Sequence, residues 1–380
     1  MGRRQEYSPY EKRLRRHYRL RSITKHNLHM ATLFRFFHPK RTLFSAPPLE
    51  KQATQPVLLE DPRWTHFQYG ICPDTDSCPW YTAFIDFCEE NALPYKVFNI
   101  HESGWLEEAL SCDFIFWRPS NAQHSVREAL YKIMLLHNEG VRTFPPLQDL
   151  TLYENKSLQY DVLSEKGLPA APTFISHDYE DVLDFIRNRA QWPLVSKIKT
   201  GSASVGVRLL KNKREALDFT RKIFTTGIRY FWHGNRQKDY VFFQDYIEGE
   251  LFDLRIITAG DRLFGYYRYP KKRDFRASGS GRWEFKDLPE DALNMALAVR
   301  EALGLTDAAV DFLRDSEGHL HIIEVSLFTY ISSPAQAIVD GVPGYYKRSS
   351  EGKFCFEKGL VWPQHLMLHH FLTHLEKDLL

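Results

Sequence analysis

Residues Leu305–Ile331 read LTDAAVDFLRDSEGHLHIIEVSLFTYI. Asp315-Ser316-Glu317-Gly318 is a turn that closes a hairpin, joining a strand predicted over Ala308–Leu313 to one predicted over His319–Val325. Pairing about the centre of that turn sets Asp311 opposite Ile322, with Glu324 on the diagonal and all three side chains on one face. Diagonal neighbours lie about 7–8 Å apart. That leaves room for a divalent ion held about 2.0–2.1 Å from each oxygen. Two carboxylates on a face otherwise made of Ala309, Leu320 and Ile322 repel each other unless a cation stands between them. Hard oxygen ligands suit Mg2+. The plainer alternative is two solvated acids at a sheet margin.

Upstream, Pro193–Val207 reads PLVSKIKTGSASVGV. A predicted strand ends at Lys197, a loop of small residues runs Gly201-Ser202-Ala203-Ser204-Val205-Gly206, and a new strand begins. Small residues let backbone N–H groups approach a phosphate chain, and the preceding lysine supplies charge. Neither the Walker A spacing nor the dinucleotide-binding glycine pattern occurs, and a plain hairpin turn also needs glycines. Between these two segments, Val241–Ile247 alternates as a strand and Glu248-Gly249-Glu250 bends the chain. The strand Leu251–Thr258 then carries Asp253 and Arg255 on one face. Backbone groups at the bend could read an adenine edge, and a nearby acid could hold ribose hydroxyls.

Together the three segments resemble the ATP-grasp superfamily over roughly residues 60–340. Lys156, in ENKSLQYDVLSEKGLPAAP, resembles the first ATP lysine of that family and Lys197 the second. The Lys197–Gly206 spacing and its SVG ending resemble D-alanine–D-alanine ligases. QDYIEGE resembles the adenine hinge, which implies Gln244 near the amino group, backbone contacts from Tyr246 and Ile247, and Glu250 near ribose. FDLRIIT, which holds Asp253 and Arg255, resembles the D-x-R strand of ribosomal-protein glutamate ligases. Asp311 and Glu324 resemble the paired Mg2+ carboxylates. Ser326 stands where the family has Asn, which implies a weaker second metal position. DFRASGSGR (Asp274–Arg282) and EVSLFTY (Glu324–Tyr330) also resemble ATP-grasp proteins of surface-polysaccharide biosynthesis.

The resemblance implies a mixed α/β and α+β fold of three lobes, with ATP between a small lid and an antiparallel C-terminal domain. The boundaries expected are a basic arm and linker over 1–56, an α/β domain over 57–150, a lid over 151–240 and a C-terminal domain over 241–380. It implies Mg-ATP as cofactor and an acyl phosphate formed on a carboxylate and displaced by an amine. Small-molecule or glycan carboxylates and amines are the substrates implied. Phosphoryl transfer needs cations around the moving phosphate. Arg255, Arg268 and Arg276 are the candidates, the last two from the basic segment YRYPKKRDFRASGSGR, whose plain reading is a solvated loop. A phosphotransferase acting on a hydroxyl, or a nucleotide-binding scaffold with a decayed site, remain as alternatives.

Composition agrees with a folded body. The 380 residues are 43% apolar and include 27 Phe and 19 Tyr, enough for a large core. No apolar run is long enough for a membrane span. Five cysteines at irregular spacing argue against a disulfide framework and fit a reducing cytoplasm; Cys72 and Cys78 lack a second pair for a metal site. On the predicted C-terminal helix, His365, His369, His370 and His374 recur at metal-binding spacing. No acid completes a site, so they read as a wet helix face.

Charge is uneven. Residues 1–43 hold twelve Lys/Arg and two acids, a balance of +10, so the remainder carries −8 against the net +2. Such an arm suits an anionic partner, such as membrane lipid, nucleic acid or a charged polymer; a cytoplasmic protein able to sit peripherally at the inner membrane face is the location expected, and a homodimer is also compatible with the sequence. The rival reading packs Phe34, Phe36 and Phe37 of the arm on the body. Deleting residues 1–43 is expected to leave melting temperature and turnover unchanged while abolishing salt-sensitive binding to anionic vesicles. Each basic residue near such a surface contributes about 1 kcal/mol. A marked fall in melting temperature would favour packing.

Overall fold

Four short strands open the body: β1 (Tyr69–Cys72), β2 (Tyr95–Val97), β3 (Phe114–Trp117) and β4 (Arg142–Phe144). They form a parallel sheet in the order β2-β1-β3-β4. Every side chain of β1 and β3 is buried. A strand apolar on both faces requires helices on both faces. Those are α1 (Trp80–Glu90), α2 (Trp105–Leu110) and α3 (Gln123–Asn138), with α4 (Leu147–Leu152) following β4. The computed structural model describes residues 54–73, 80–199, 201, 204–229 and 236–379, with side chains to 375. The basic arm, the linker to residue 53, Cys78, Ser202 and Ala203 lie outside the described residues. No helix among the described residues is long and apolar enough to cross a membrane.

The second sheet begins after α5 (Lys156–Glu165). Asn155 caps that helix by accepting from the Leu158 N–H at 3.4 Å, and Gly167, at φ 66°, follows its end. Then come β5 (Thr173–Ser176), α6 (Tyr179–Asp184), β6 (Leu194–Ser196), β7 (Arg208–Leu210) and α7 (Lys213–Thr225). A short pair, β8 (Ile228–Arg229) with β9 (Arg236–Gln237), precedes β10 (Val241–Asp245). The antiparallel order is β5-β10-β6-β7. Sequence placed 241–247 at the head of the C-terminal domain, but β10 pairs with β5 and β6 and belongs to the small sheet. Its Val241 and Phe243 are wholly buried there, in a core the larger sheet does not share.

The third sheet is larger. Its strands are β11 (Asp253–Ala259), β12 (Arg262–Arg268), β13 (Trp283–Glu284), β14 (Ala309–Arg314), β15 (Leu320–Ser326), β16 (Ile338–Val339), β17 (Val342–Arg348) and β18 (Phe354–Lys358). The path runs β15-β14-β11-β12-β17-β16, with β13 on β12 and β18 on β17. Helix α8 (Glu290–Leu303) leads into β14, and α9 (Pro363–Leu379) closes the chain.

Two apolar cores result. One joins the parallel sheet to the large sheet, where Phe144 meets both Phe328 and Phe371 edge-on. The other fills the small lobe alone, around Leu194, Phe219, Val241 and Phe243. Helix α9 packs on α1 and β11, which overturns the wet-face reading for His365, while His374 stays exposed. His365 is buried edge-on to Phe87, with Nδ1 3.3 Å from Glu90. Burial lowers its pKa to about 4. His370 Nδ1 lies 3.3 Å from the buried Asp307.

Between the small lobe and the large sheet, contact runs through backbone. The Ala171 N–H donates to the Ile322 carbonyl at 2.9 Å, and the Ile322 N–H to Pro169 at 2.8 Å. These bonds satisfy the free edge of β15, the outermost strand. Near the other end of the hairpin, Gly249 bridges to Asp315 and the Glu250 N–H donates to the Arg314 carbonyl at 3.1 Å. A Cβ on Gly249 would overlap the Arg314 carbonyl oxygen and the Asp315 backbone. Backbone on both sides cannot yield as a side-chain tip can, so Gly249→Ala is expected to cost about 1–3 kcal/mol. Denaturant unfolding at wild-type stability would refute this close approach.

Candidate active site

The site forms where the β14–β15 hairpin departs from a regular ladder. Phe312 pairs with Ile322, but Asp311 pairs with Glu324, leaving Ile323 as an extra residue on β15. The register expected from the turn was therefore wrong: Asp311 and Glu324 stand directly opposite, not on a diagonal. The bulged Ile323 carbonyl accepts from Lys197 Nζ at 2.9 Å, tying the small lobe to the kink.

Across the large sheet, Tyr266, Arg255, Asp311 and Glu324 stand at one level on β12, β11, β14 and β15. Arg255 grips Asp311 with both arms of its fork, Nε to Oδ1 at 2.7 Å and Nη2 to Oδ2 at 2.8 Å. Its Nη1 donates to Thr329 Oγ1 at 2.7 Å. Arg268 adds a second guanidinium, Nη2 lying 2.6 Å from Asp311 Oδ2, while its Nε donates to Asp253. Asp311 is 1% exposed. Burial alone would raise its pKa, but Arg255 and then Arg268 outweigh burial and hold it well below the usual carboxylate range. The carboxylate pair is thus balanced by the chain's own cations, which the repulsion argument from sequence left out. Asp253, expected among the nucleotide contacts, is instead buried against Arg268.

Helix α5 meets this row from the other side. Lys156 Nζ lies 3.3 Å from Glu324 Oε1 and donates to the Gly201 carbonyl at 2.9 Å. Burial lowers the lysine's proton affinity, but Glu324 and Glu154 more than restore it and hold it charged. Glu154 Oε2 accepts from the Gly201 N–H at 2.7 Å. Gly201 of the glycine-rich loop is therefore clamped through both its backbone N–H and its carbonyl by residues flanking the Asn155 cap. Ser204, at φ 58°, donates through Oγ to the Ser278 carbonyl at 3.0 Å. Sequence reasoning missed Glu154 and Thr329. Glu154 stands two residues before Lys156, where an acid at the start of a lysine-bearing helix could have flagged it. Nothing in the sequence marks Thr329.

The hinge residues spread out. Gln244 is buried and donates to Thr173 Oγ1 at 3.0 Å. Tyr246 is exposed, with its ring 6.3 Å from that of Phe275, and Ile247 is half-buried. Glu250 is exposed on the bend. Arg276 is bound to Asp274, Nε to Oδ1 at 3.0 Å and Nη2 to Oδ2 at 2.9 Å, so the expected third arginine stays with its own loop.

Among the described residues no group of three or more His, Cys, Asp or Glu could hold a metal ion. The site offers two carboxylates and, two residues past Glu324 on the same face, the Ser326 hydroxyl. Each carboxylate oxygen has two acceptor positions. Asp311 Oδ1, with one guanidinium on it, therefore retains one. An all-oxygen set of this kind fits a hard cation such as Mg2+. A separate cavity, lined by Gly260, Arg262, Leu366 and His369, lies at the opposite end of the β11–β12 hairpin and does not overlap the site.

The folding of two sheets about a carboxylate row, with a lysine from each side, is the ATP-grasp fold. D-alanine–D-alanine ligase from Bacillus anthracis complexed with ATP superposes with a TM-score of 0.55, at 14% identity, over 82% of this chain and 99% of that one. D-cycloserine synthetase superposes at 0.53 and 17% identity, over 68% and 91%. Residues 153–333 match the family of RimK-like ATP-grasp domains. A probable alpha-L-glutamate ligase of Stutzerimonas stutzeri is 28% identical over 188 residues, 48% of this chain and 56% of the relative. A probable alpha-L-glutamate ligase of a Shewanella species is 31% identical over 171 residues, 43% and 52%. The chain spans about half the length of the curated relatives it matches.

Lys197 makes a separable prediction. It is 8% exposed, and burial, with Lys156 adding to it, lowers its pKa to about 8 against the pull of Glu324. An unfolded lysine titrates near about 10.4. Between those values the unfolded chain binds more protons, so this residue's contribution to stability rises with pH across that window; below it the buried ammonium costs the fold, on the order of 3 kcal/mol. Lys197→Met is therefore expected to keep or raise the melting temperature at pH 7 while lowering ADP affinity at least about tenfold. A lower melting temperature or unchanged calorimetric affinity would contradict it.

Proposed function

We propose that this chain is an ATP-dependent carboxylate–amine ligase. The observation that carries the reading is the meeting of Lys156 and Lys197 with Glu324 and the bulge, beside the buried Arg255–Asp311–Arg268 network. Bound Mg-ATP would supply a γ-phosphoryl group to a substrate carboxylate, giving an acyl phosphate that an amine displaces with release of phosphate. In this reading Lys156 and Lys197 exchange their contacts with Glu324 and the Ile323 carbonyl for phosphate oxygens. The Gly201 loop, held by Glu154, covers the phosphates, and the segment around Gln244, Tyr246, Ile247 and Glu250 holds the nucleoside. Glu324, Asp311 and Ser326 would hold Mg2+. Arg255 and Arg268, held in place by Asp311 and Asp253, set fixed positive charge beside the reacting oxygens without reorganisation.

The relatives' names favour an acidic amino acid as one substrate. Peptide, small-molecule and glycan acceptors all belong in the search. Recruitment of the body to an anionic surface through the basic arm completes the proposal. The test is ATP-dependent phosphate release across pairs of carboxylates and amines, with the product analysed for an amide. Phosphate found on the acceptor instead would make the enzyme a phosphotransferase; no nucleotide binding at all would leave a scaffold. On a productive pair, Glu324→Gln is expected to lower kcat at least about 100-fold with little change in nucleotide affinity. Wild-type turnover of that variant at limiting Mg2+ would remove Glu324 from the metal site.

A further inference from the structure

Among the described residues β18 pairs with β17 and with no other strand. Bonds just beyond that ladder show which way its backbone faces. The Ser349 N–H donates to the Lys353 carbonyl at 2.8 Å, and the Gly359 N–H to the Pro343 carbonyl at 3.1 Å. Hydrogen-bonded and non-bonded pairs alternate along an antiparallel ladder. Lys353, Cys355, Glu357 and Gly359 therefore turn their backbone groups toward β17. Phe354, Phe356 and Lys358 turn theirs outward, where no other described residue bonds them. The side chains alternate in step. Lys353, Cys355 and Glu357 are exposed on one face. Phe354 and Phe356 lie half-buried on the other, with the Phe356 ring 5.3 Å from that of Tyr346 and the Arg348 guanidinium 6.0 Å from that of Phe354. The ladder reaches β12 at Arg262 and Leu263, the end away from Arg268, so this edge is remote from the carboxylate row.

An open edge is a template for another strand, and proteins commonly blunt one with lysines, which repel a second copy. Here the charges flanking Cys355 have opposite signs. A two-fold axis at Cys355 sets the outward groups of Phe354 against those of Phe356 in a second copy, twice over, with the rings meeting across the strands. The same register places Lys353 opposite Glu357 of the second copy, also twice. An axis at Phe356 would set Glu357 against Cys355 and leave Lys353 without an acid. An axis at Glu357 would set two carboxylates face to face, and like charges directly opposite destabilise a strand pair. An axis at Phe354 sets Lys353 against Cys355 and pairs neither charge. We propose that a second copy of this chain pairs antiparallel on β18 about Cys355, so that the large sheets of two copies run on into one another. One strand pair is a small contact, so the dimer is concentration-dependent rather than obligate. This inference does not rest on the ligase reading.

Sedimentation of the full chain over a concentration series tests it. The wild type is expected to pass from monomer to dimer. Lys353→Glu and Glu357→Lys, each of which puts like charges opposite in both pairs, should weaken dimerisation at least about tenfold. The double variant restores both pairs with their signs exchanged and should recover most of the wild-type affinity. Both side chains are exposed, so melting temperatures should not move; if a single reversal does lower one, rescue in the double variant still decides. The register has its own readout. Cys355 opposite Cys355 is a non-hydrogen-bonded pair with Cα atoms about 4.5 Å apart, within disulfide reach. Cys72, Cys88 and Cys112 are buried and Cys355 is exposed, so in a Cys78→Ser background diamide should cross-link the dimer, and the further change Cys355→Ser should abolish the cross-link. A wild type that is monomeric at every concentration overturns the proposal. So does a monomer that dimerises only when residues 1–43 are deleted, which would give the edge to the chain's own arm. A dimer indifferent to both reversals, a double variant weaker than either single, or a dimer that diamide leaves uncross-linked at Cys355 overturns the pairing about Cys355.

Discussion

Asp311 is a carboxylate taken almost wholly out of water, and it survives there because two guanidiniums arrive with it. An isolated buried charge costs several kcal/mol, and breaking a buried pair by removing one partner costs more than the pair contributes. The network spans three strands: Arg255 and Asp253 from β11, Arg268 from β12, Asp311 from β14. A one-residue slip of any strand would leave an uncompensated ion, so charge and register enforce each other. The same fixed frame holds Glu324 opposite Asp311 and turns a sheet edge into a site.

The small lobe is held to that frame differently. Its apolar core is its own, and its links to the large sheet include backbone bonds at Ala171 and Ile322, the Ser204–Ser278 bond and the reach of Lys197. Polar links of this kind can be exchanged for ligand contacts at little net cost, whereas a shared apolar interface would have to be exposed to water. The parallel sheet and the large sheet have the opposite arrangement, fused through one aromatic core around Phe144 and Phe328. One lobe is therefore held by polar contacts, the other two by a shared apolar core.

Much of this was legible in the residues. The hairpin at Asp315–Gly318 and the lysine at the end of a strand follow local rules of turn chemistry and charge, and the structure keeps both. Lys156, Lys197, Asp311 and Glu324, each singled out by its own chemistry, are brought together by the structure: a carboxylate on an apolar strand must find a cation, and a buried lysine must find an acceptor. What the residues did not carry was which cation meets which acid. The bulge at Ile323, the transfer of β10 into the small sheet, the capture of Asp253 by Arg268 and the burial of His365 all depend on partners far apart in the chain. A local pattern fixes the face a side chain presents, with a period of two or 3.6. Only the packed structure decides what stands opposite, because desolvation and pairing energies exist only once the strands and lobes have come together.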